Sequence, residues 1–166
     1  MLDEIIARRE GKKGFRRPPP NAMVIHLRLG DKMEDSEADV LTMLRDGADP
    51  GRRSFHGMHA IKSVYEFLTN IVESGLQRVI IRGGSQHPQL FRKSKHYASC
   101  LQQAIEKAGY TVSMNLDEPS ADADFFFMVH AKHIIVTAGG FSRYIGHSVL
   151  RRGGVLYGRY FRRYFR

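Results

Sequence analysis

The chain has 166 residues, of which 42% are hydrophobic and 26% charged. This balance is typical of one globular domain and argues against a disordered or fibrous chain. Cys100 is the only cysteine, which excludes an internal disulfide framework and a multi-cysteine zinc site. Neither a signal peptide nor an apolar run of the ~20 residues that a membrane helix needs is apparent, so we expect a soluble chain.

The net charge of +9 is concentrated at the two ends of the chain. Residues 1–20 hold six Lys/Arg and three acids, and residues 151–166 hold six Arg and no acid. The remaining residues, 21–150, balance fourteen bases against fourteen acids. Binding of nucleic acid needs a continuous basic face, so this pattern disfavours it. Charge at the ends indicates a solvated tail, a contact with another domain or an anionic surface partner.

Proline and charge patterns divide the chain into three parts. The prolines at 18–20 predict a rigid, extended stretch that ends a basic N-terminal segment, residues 1–20. A folded domain follows over 21–157. Residues 158–166 form a basic aromatic tail, in which Arg-Tyr-Phe-Arg occurs twice. As a helix, this tail would pack on this domain or a missing one, or contact an anionic membrane or single-stranded nucleic acid.

Apolar runs and helical periodicities alternate along the folded domain. We predict a long loop over 31–54, with at most a helical turn at 40–44. One helix buries a face at 58, 61, 65, 68 and 72 and ends at Gly75, and a second spans 97–108 and ends at Gly109. A third is capped by Ser120, and a fourth covers 141–150. Strands are predicted at 23–27, 77–82, 110–114, 133–137 and, as an alternative to the start of the tail, 155–157.

The alternation of strands and helices, together with strands that are apolar throughout, predicts the fold class. A doubly wound parallel sheet with helices on both faces, a Rossmann-like α/β fold, has this pattern. Such sheets bind ligands outside the carboxyl ends of their strands. The loops that follow the strands are therefore the places to search for a site.

The loop after the first strand reads His26-Leu27-Arg28-Leu29-Gly30-Asp31. An arginine at a strand end offers a planar, permanently charged group that suits a phosphate or carboxylate. Gly30 allows a sharp turn, and Asp31 is placed to orient Arg28. A buried Arg–Asp pair with a structural role is the alternative.

The loop after the fourth strand brings small residues to the start of a helix. Gly139 and Gly140 allow backbone amides to approach an anion, while Ser142 offers a hydroxyl and Arg143 a cation. The alternative is a tight turn in which Ser142 caps the helix. A third loop, residues 83–86, follows Arg82 and is explained as well by turn formation as by a ligand.

Two stretches, VIHLRLGD at 24–31 and DFFFMVHAKHIIVTAGGFSRYIG at 124–146, resemble the fucosyltransferase superfamily. The pattern is most similar to that of the alpha-1,2-fucosyltransferases, and more distantly to the protein O-fucosyltransferases. The resemblance implies the nucleotide-sugar-binding half of a GT-B glycosyltransferase, with GDP-fucose as donor and a glycan as acceptor. It implies contacts of Arg28, Phe141 and Ser142 with the donor diphosphate and a supporting role for His26 and Asp31. Transfer would be inverting and metal-independent.

Several points stay open at this level. The expected donor site comprises His26, Arg28, Gly30 and residues 139–143, with Arg28 and Asp31 as catalytic candidates and no metal or other cofactor. The catalytic base is not assigned, because Asp31, Glu34, Asp35 and His56 all lie in or near the first long loop. A GT-B enzyme also needs an acceptor-binding half, so a non-catalytic or degenerate nucleotide-sugar-binding lobe is the alternative function. Cytoplasmic and Golgi-lumenal locations are both compatible.

Overall fold

Five parallel strands form one sheet in the computed structural model, which describes residues 4, 6, 8, 15–34, 36–47, 62–84, 92–116, 120–137 and 139–158. The sheet order is β3-β2-β1-β4-β5, so that β1 lies at the centre. All four strand pairs are parallel. The strands are β1 Ala22–Arg28, β2 Arg78–Gly84, β3 Thr111–Asn115, β4 His133–Val136 and β5 Val155–Tyr157.

Helices cover both faces of the sheet, which confirms the predicted doubly wound α/β fold. Within the described residues, none of them is long and apolar enough to cross a membrane. Short helices occur where the sequence predicted a long loop, since Asp39 accepts a hydrogen bond from the amide of Thr42 and caps one of them. The helices are α1 Asp31–Glu34, α2 Val40–Asp46, α3 Val64–Ser74, α4 Arg92–Lys107, α5 Ala121–Val129 and α6 Gly140–Arg151.

Alternating side chains of β1, β2, β4 and β5 enter two separate cores, because successive residues point to opposite faces of the sheet. In β1, Met23 and Ile25 contribute to the core beneath α2, α3 and α4. Val24 contributes to the core beneath α5 and α6. All three are fully buried, as expected for the central strand of a sheet that is covered on both sides.

The end of α3 is as predicted, but its buried face is not. Ser63 and Glu66 form a capping box, so the helix begins at Val64. Its buried residues are Phe67 and Ile71. Of the predicted face, Leu68 packs partly buried against the same core, whereas Tyr65 and Val72 are 77% and 65% exposed. The sequence contains two overlapping apolar stripes, and only packing against the sheet selects between them. Met58 and Ile61 of the predicted stripe lie outside the described residues.

Other boundary predictions are confirmed. Gly75 ends α3 in the left-handed conformation, at φ 69°. Ser120 caps α5 by accepting a hydrogen bond from the amide of Ala123. The strand at 155–157 pairs with β4 and so belongs to the sheet. Of the predicted basic aromatic tail, residues 159–166 lie outside the described part of the chain.

Residues that precede β1 also contribute to the core. Ile6 is only 2% exposed and packs in the core beneath α5 and α6. Phe15 makes an edge-on contact with Phe126 of α5, with ring centroids 5.0 Å apart. Both contacts are made by residues that precede the predicted domain boundary at residue 20. The boundary itself stays a prediction.

The close approach of β1 and β2 gives a first prediction about stability. A Cβ atom at Gly83 would lie 2.9 Å from the carbonyl oxygen of Leu27 and 3.1 Å from Cδ1 of Leu29. Gly83→Ala should lower the free energy of unfolding by roughly 1–3 kcal/mol, because the strands must separate to admit a methyl group. Urea unfolding measures this difference.

Gly84→Ala is the matched control for that experiment. A Cβ atom there meets only the carbonyl oxygen of Leu116, at an ordinary 3.5 Å. We expect a change in the free energy of unfolding below about 1 kcal/mol. Equal effects of the two substitutions would contradict the described packing of β1 on β2.

Candidate functional site

The candidate site lies at the carboxyl ends of β1 and β4, where the connections leave in opposite directions. The chain after β1 enters helices on one face of the sheet, and the chain after β4 enters α6 on the other. Neighbouring strands whose connections diverge leave a crevice between them, the usual ligand position in such sheets. Arg28 ends β1 at this crevice, and residues 139 and 140 follow β4.

Thr137 joins the ends of the two strands. Its Oγ1 accepts a hydrogen bond of 2.6 Å from the backbone amide of Arg28. The same hydroxyl donates to the carbonyl oxygen of His26 over 3.2 Å. Thr137 is 2% exposed, so these bonds are shielded from water. Thr137 was not among the predicted site residues, although a hydroxyl side chain directly after an apolar strand is a usable signal.

Arg28 packs directly on the turn that precedes α6. A Cβ atom at Gly139 would lie 3.1 Å from Nη1 of Arg28 and 3.8 Å from Cζ. Gly139 also has φ 116°, a backbone conformation that glycine adopts readily and other residues rarely. The structure thus brings together two loops that are more than a hundred residues apart in sequence, and the arginine lies beside the start of a helix.

The first turn of α6 presents backbone amides on this side. Gly139 is the residue before the helix, and no side chain caps the helix there. The first amides of an α-helix have no partner within the helix, and the helix dipole adds positive potential at this end. A Cβ atom at Gly140 would have no neighbour within 4 Å, so this residue borders open space. A guanidinium group next to such a helix start is suited to an anion.

The side chain of Ser142 is placed differently from both predictions, which were contact with an anion and capping of the helix. It is fully buried, and its hydroxyl lies 3.0 Å from Nδ1 of His26. The hydroxyl therefore faces the interior and not an anion in the crevice, and it does not cap α6. Only the backbone amide of Ser142 belongs to the exposed helix start.

His26 supports the floor of the site and is itself only 6% exposed. The ring of Phe141 covers it edge-on, with centroids 5.5 Å apart, and is 41% exposed. Burial, and secondarily the charge of Arg28, lowers the pKa of His26 to about 4. The imidazole is therefore neutral at physiological pH, and the positive charge at this point comes from Arg28.

The residues that follow Arg28 build a turn and a helix cap. Gly30 has φ 92°, and its amide donates to Oγ of Ser94 over 3.0 Å. Glu34 accepts hydrogen bonds from the amides of Lys93 and Ser94, so its carboxylate caps α4. The amide of Gly30 and the carboxylate of Glu34 thus both have structural partners.

This arrangement changes the predicted role of one candidate residue. Glu34 is corrected from a candidate base to a capping residue of α4. The side chain of Asp31, together with Asp35 and His56, lies outside the described residues. Arg143 is exposed in the first turns of α6, where its amide bonds to the carbonyl of Gly139.

An ion pair that the sequence analysis missed lies on the same face of the sheet. Arg82 is the β2 neighbour of His26, and its Nη1 is 3.1 Å from Oδ1 of Asp124. The two side chains are 13% and 14% exposed, and the guanidinium lies 4.2 Å above the ring of Phe127. The partner of Asp124 on β2 is set by the order of the strands, which local sequence does not reveal. Residues 85–90 lie outside the described part, so the third loop stays untested.

Comparison with known proteins adds a distant likeness in fold. No protein-family model and no curated protein sequence matches the chain. One similar solved structure is POFUT1 in complex with GDP, at 11% identity and a TM-score of 0.46, covering 89% of this chain and 43% of that one. Another is POFUT1 in complex with GDP-fucose, at 11% identity and a TM-score of 0.48, covering 94% and 44%. The chain spans less than half the length of these structures.

Burial of a neutral His26 predicts a dependence of stability on pH. Its pKa is about 4 in the folded chain and ~6.5 when unfolded, so the unfolded chain binds the proton first as the pH falls. The contribution is complete above pH ~6.5 and is lost towards pH ~4. Between pH ~7.5 and pH ~5 the wild type should lose about 2 kcal/mol relative to His26→Gln. Urea unfolding of both proteins at each pH tests this, and parallel pH profiles would contradict it.

The contact between Arg28 and Gly139 gives a second prediction for this site. Gly139→Ala should lower the free energy of unfolding by roughly 1–3 kcal/mol, because of its positive φ and its contact with Arg28. Gly140→Ala, one residue later, should change it by less than about 1 kcal/mol, since a methyl group there enters open space. Thermal and urea unfolding of the pair provide the measurement. A destabilising Gly140→Ala beside a neutral Gly139→Ala would overturn this geometry.

Proposed function

We propose that this chain is a nucleotide-sugar-binding domain of a glycosyltransferase, with GDP-fucose as its donor. The donor diphosphate would lie between the guanidinium of Arg28 and the first amides of α6. The observation that carries this proposal is the packing of Arg28 on Gly139 at the crevice between β1 and β4. The sequence motifs around both residues support the choice of a fucosyltransferase-like donor, and the alpha-1,2 subfamily is the finer form of this proposal.

The chemistry proposed for Arg28 is stabilisation of the leaving group. In an inverting transfer, an acceptor hydroxyl attacks the anomeric carbon as the bond from that carbon to the diphosphate oxygen breaks. The electron pair of that bond goes to the diphosphate, and the hydroxyl proton goes to a base. A fixed guanidinium and helix amides stabilise the developing charge without reorganising, so no metal is needed for this task.

The neighbours of Arg28 keep its charge in position. Thr137 fixes the backbone of Arg28 through its amide, and Gly139 allows the side chain to lie against the turn. His26 and Ser142 close the floor beneath by their mutual hydrogen bond. Because these groups are buried and bonded before any donor arrives, little ordering is required on binding.

The cation content of the site limits which donors fit. The residue after Arg28 is Leu29, which is 4% exposed and packs in the core, so β1 contributes one cation to the described part of the site. Arg143 is a second cation in the proposal, reaching from the surface of α6. Arg28 and the first amides of α6 together suit the negative charge of a diphosphate. The glycan acceptor is proposed to enter beside Phe141, whose ring is 41% exposed, and Asp31 stays a catalytic candidate whose side chain lies outside the described residues.

A non-catalytic lobe is the second candidate function, and one observation favours it. Glu34, an acid close to Arg28 in sequence, is engaged as a helix cap. Such a lobe would bind the donor without turning it over. An acceptor-binding half, supplied by another domain or partner, would then be required for transfer.

Ligand-dependent melting tests the donor site. GDP, GDP-fucose, UDP, ADP and inorganic phosphate are compared on wild type, Arg28→Ala and Arg78→Ala. Arg78 is an exposed arginine at the start of β2, the opposite edge of the sheet, and so controls for loss of charge. A ligand at a hundred times its dissociation constant should add about 2.7 kcal/mol of stability. We expect this shift with GDP and GDP-fucose for wild type and Arg78→Ala, and its loss in Arg28→Ala.

The same samples separate the outcomes. No shift with any nucleotide, or an equal shift in Arg28→Ala, would refute the donor site. A shift with UDP or ADP alone would keep the site and change the base of the nucleotide. Release of GDP from GDP-fucose would favour an enzyme, and binding without release would favour the lobe.

A further inference from the structure

Helix α3 carries a second apolar stripe beside the one that it buries. Tyr65 and Val72 are largely exposed, whereas Phe67 and Ile71 pack beneath the helix. Single exposed apolar side chains are common on protein surfaces. Tyr65 and Val72, however, are about two helical turns apart and therefore lie on the same side of the helix. Leu68 lies between them in sequence and is partly buried against the core. We call Tyr65, Leu68 and Val72 the outer stripe.

The last described residue, Gly158, lies next to the start of α3. A Cβ atom at Gly158 would be 3.8 Å from Nζ of Lys62, and the residue after Lys62, Ser63, caps the helix. Tyr157, which precedes Gly158, packs in the core beneath α2, α3 and α4. The chain therefore leaves β5 at the first turn of α3, the turn that contains Tyr65.

The side of α3 towards Gly158 is acidic. Oε1 of Glu66 lies 3.8 Å from Nζ of Lys62, the same atom that Gly158 approaches. Glu73 lies near the end of β5, since burial, and secondarily the charge of Glu73, raises the pKa of Tyr157. The 11 residues of α3, all of them described, include no lysine or arginine. An acidic flank thus borders the outer stripe where the chain leaves the sheet.

Helix formation does not explain the position of Glu73. It is exposed in the last turn of α3, where the helix dipole disfavours an acidic side chain. Glu66, by contrast, completes the capping box at the start of the helix. Within the described part of the chain, no residue forms an ion pair with Glu73. A cation from outside that part would offset its charge.

We propose that residues 159–166 of the basic aromatic tail fold back and cover the outer stripe of α3. These eight residues comprise four arginines, four aromatic residues and no acid. Aromatic rings suit the exposed side chains of the stripe, and guanidinium groups suit both the carboxylate of Glu73 and the ring face of Tyr65. The sequence left several partners open for this tail, and the position of Gly158 favours this domain.

The length of the tail is sufficient for this contact. Eight extended residues span up to ~28 Å, and the 11 residues of α3 span ~16 Å. The tail can therefore reach Val72 from Gly158 as well as Tyr65. The outer stripe belongs to α3, whereas the candidate donor site belongs to Arg28 and α6, so this proposal does not depend on the proposed function.

Nuclear magnetic resonance on the full chain, labelled with ¹⁵N and ¹³C, tests the contact directly. We expect nuclear Overhauser effects between the methyl groups of Val72 and ring protons of the tail. Order parameters of the amides of 160–165 should approach the ~0.85 of a rigid backbone. A mixture of labelled and unlabelled chains separates contacts within one chain from contacts between two copies.

Two pairs of variants test the apolar and the charged parts of the contact. Tyr65→Ser with Val72→Ser removes the outer stripe, and Tyr144→Ser with Leu41→Ser, also exposed, is its matched control. Glu73→Lys reverses the charge of the flank, and Glu106→Lys does the same at an exposed acid of α4. We expect order parameters of the tail below ~0.6 in the stripe variant and in Glu73→Lys, and wild-type values in both controls.

Three results would overturn the proposal. The first is a tail with order parameters below ~0.6 in the wild type, or with equal values in the variants and their controls. The second is a set of contacts to the outer stripe that occurs only between two copies of the chain. The third is a tail that becomes ordered only when anionic vesicles or a single-stranded oligonucleotide are added. If the stripe variant does not fold, Glu73→Lys and its control decide alone.

Discussion

The central position of β1 is the constraint on which the rest of this structure depends. It pairs with β2 on one side and β4 on the other, so its side chains are buried on both faces and are uncharged until the strand ends, His26 being held neutral by its burial. The first residue free to be charged is Arg28. β4 ends beside Arg28, and α6 begins shortly after β4. The guanidinium of Arg28 therefore lies next to the first backbone amides of the helix.

Polar groups below Arg28 are paired with one another before any ligand is present. Thr137 uses its hydroxyl twice, towards the amide of Arg28 and the carbonyl of His26. His26 is neutral because it is buried next to a cation, and it pairs with Ser142. A protonated imidazole here would place a second, poorly solvated charge under the arginine. The network therefore keeps one cation at the crevice and limits its movement.

The positive potential at the two edges of the sheet has different sources. At the carboxyl edge, positive potential comes from Arg28 together with a helix start, and glycine allows the close approach. At the amino edge, the helices present their carbonyl ends, and cationic side chains, Lys132 and Arg152 among them, lie there. A parallel sheet with helices on both faces always has this polarity.

Local sequence determined the elements of this protein, because helix periodicity, Ser120 and Gly75 act on neighbouring residues. The same pattern predicted the parallel sheet and the two loops of the site. It failed for the buried face of α3, since two apolar stripes differ only in what they meet. Tertiary structure alone decided that Ser142 turns inward to His26 and that Arg82 pairs with Asp124. Each of these depends on strand order, and strand order arises from contacts between residues far apart in sequence.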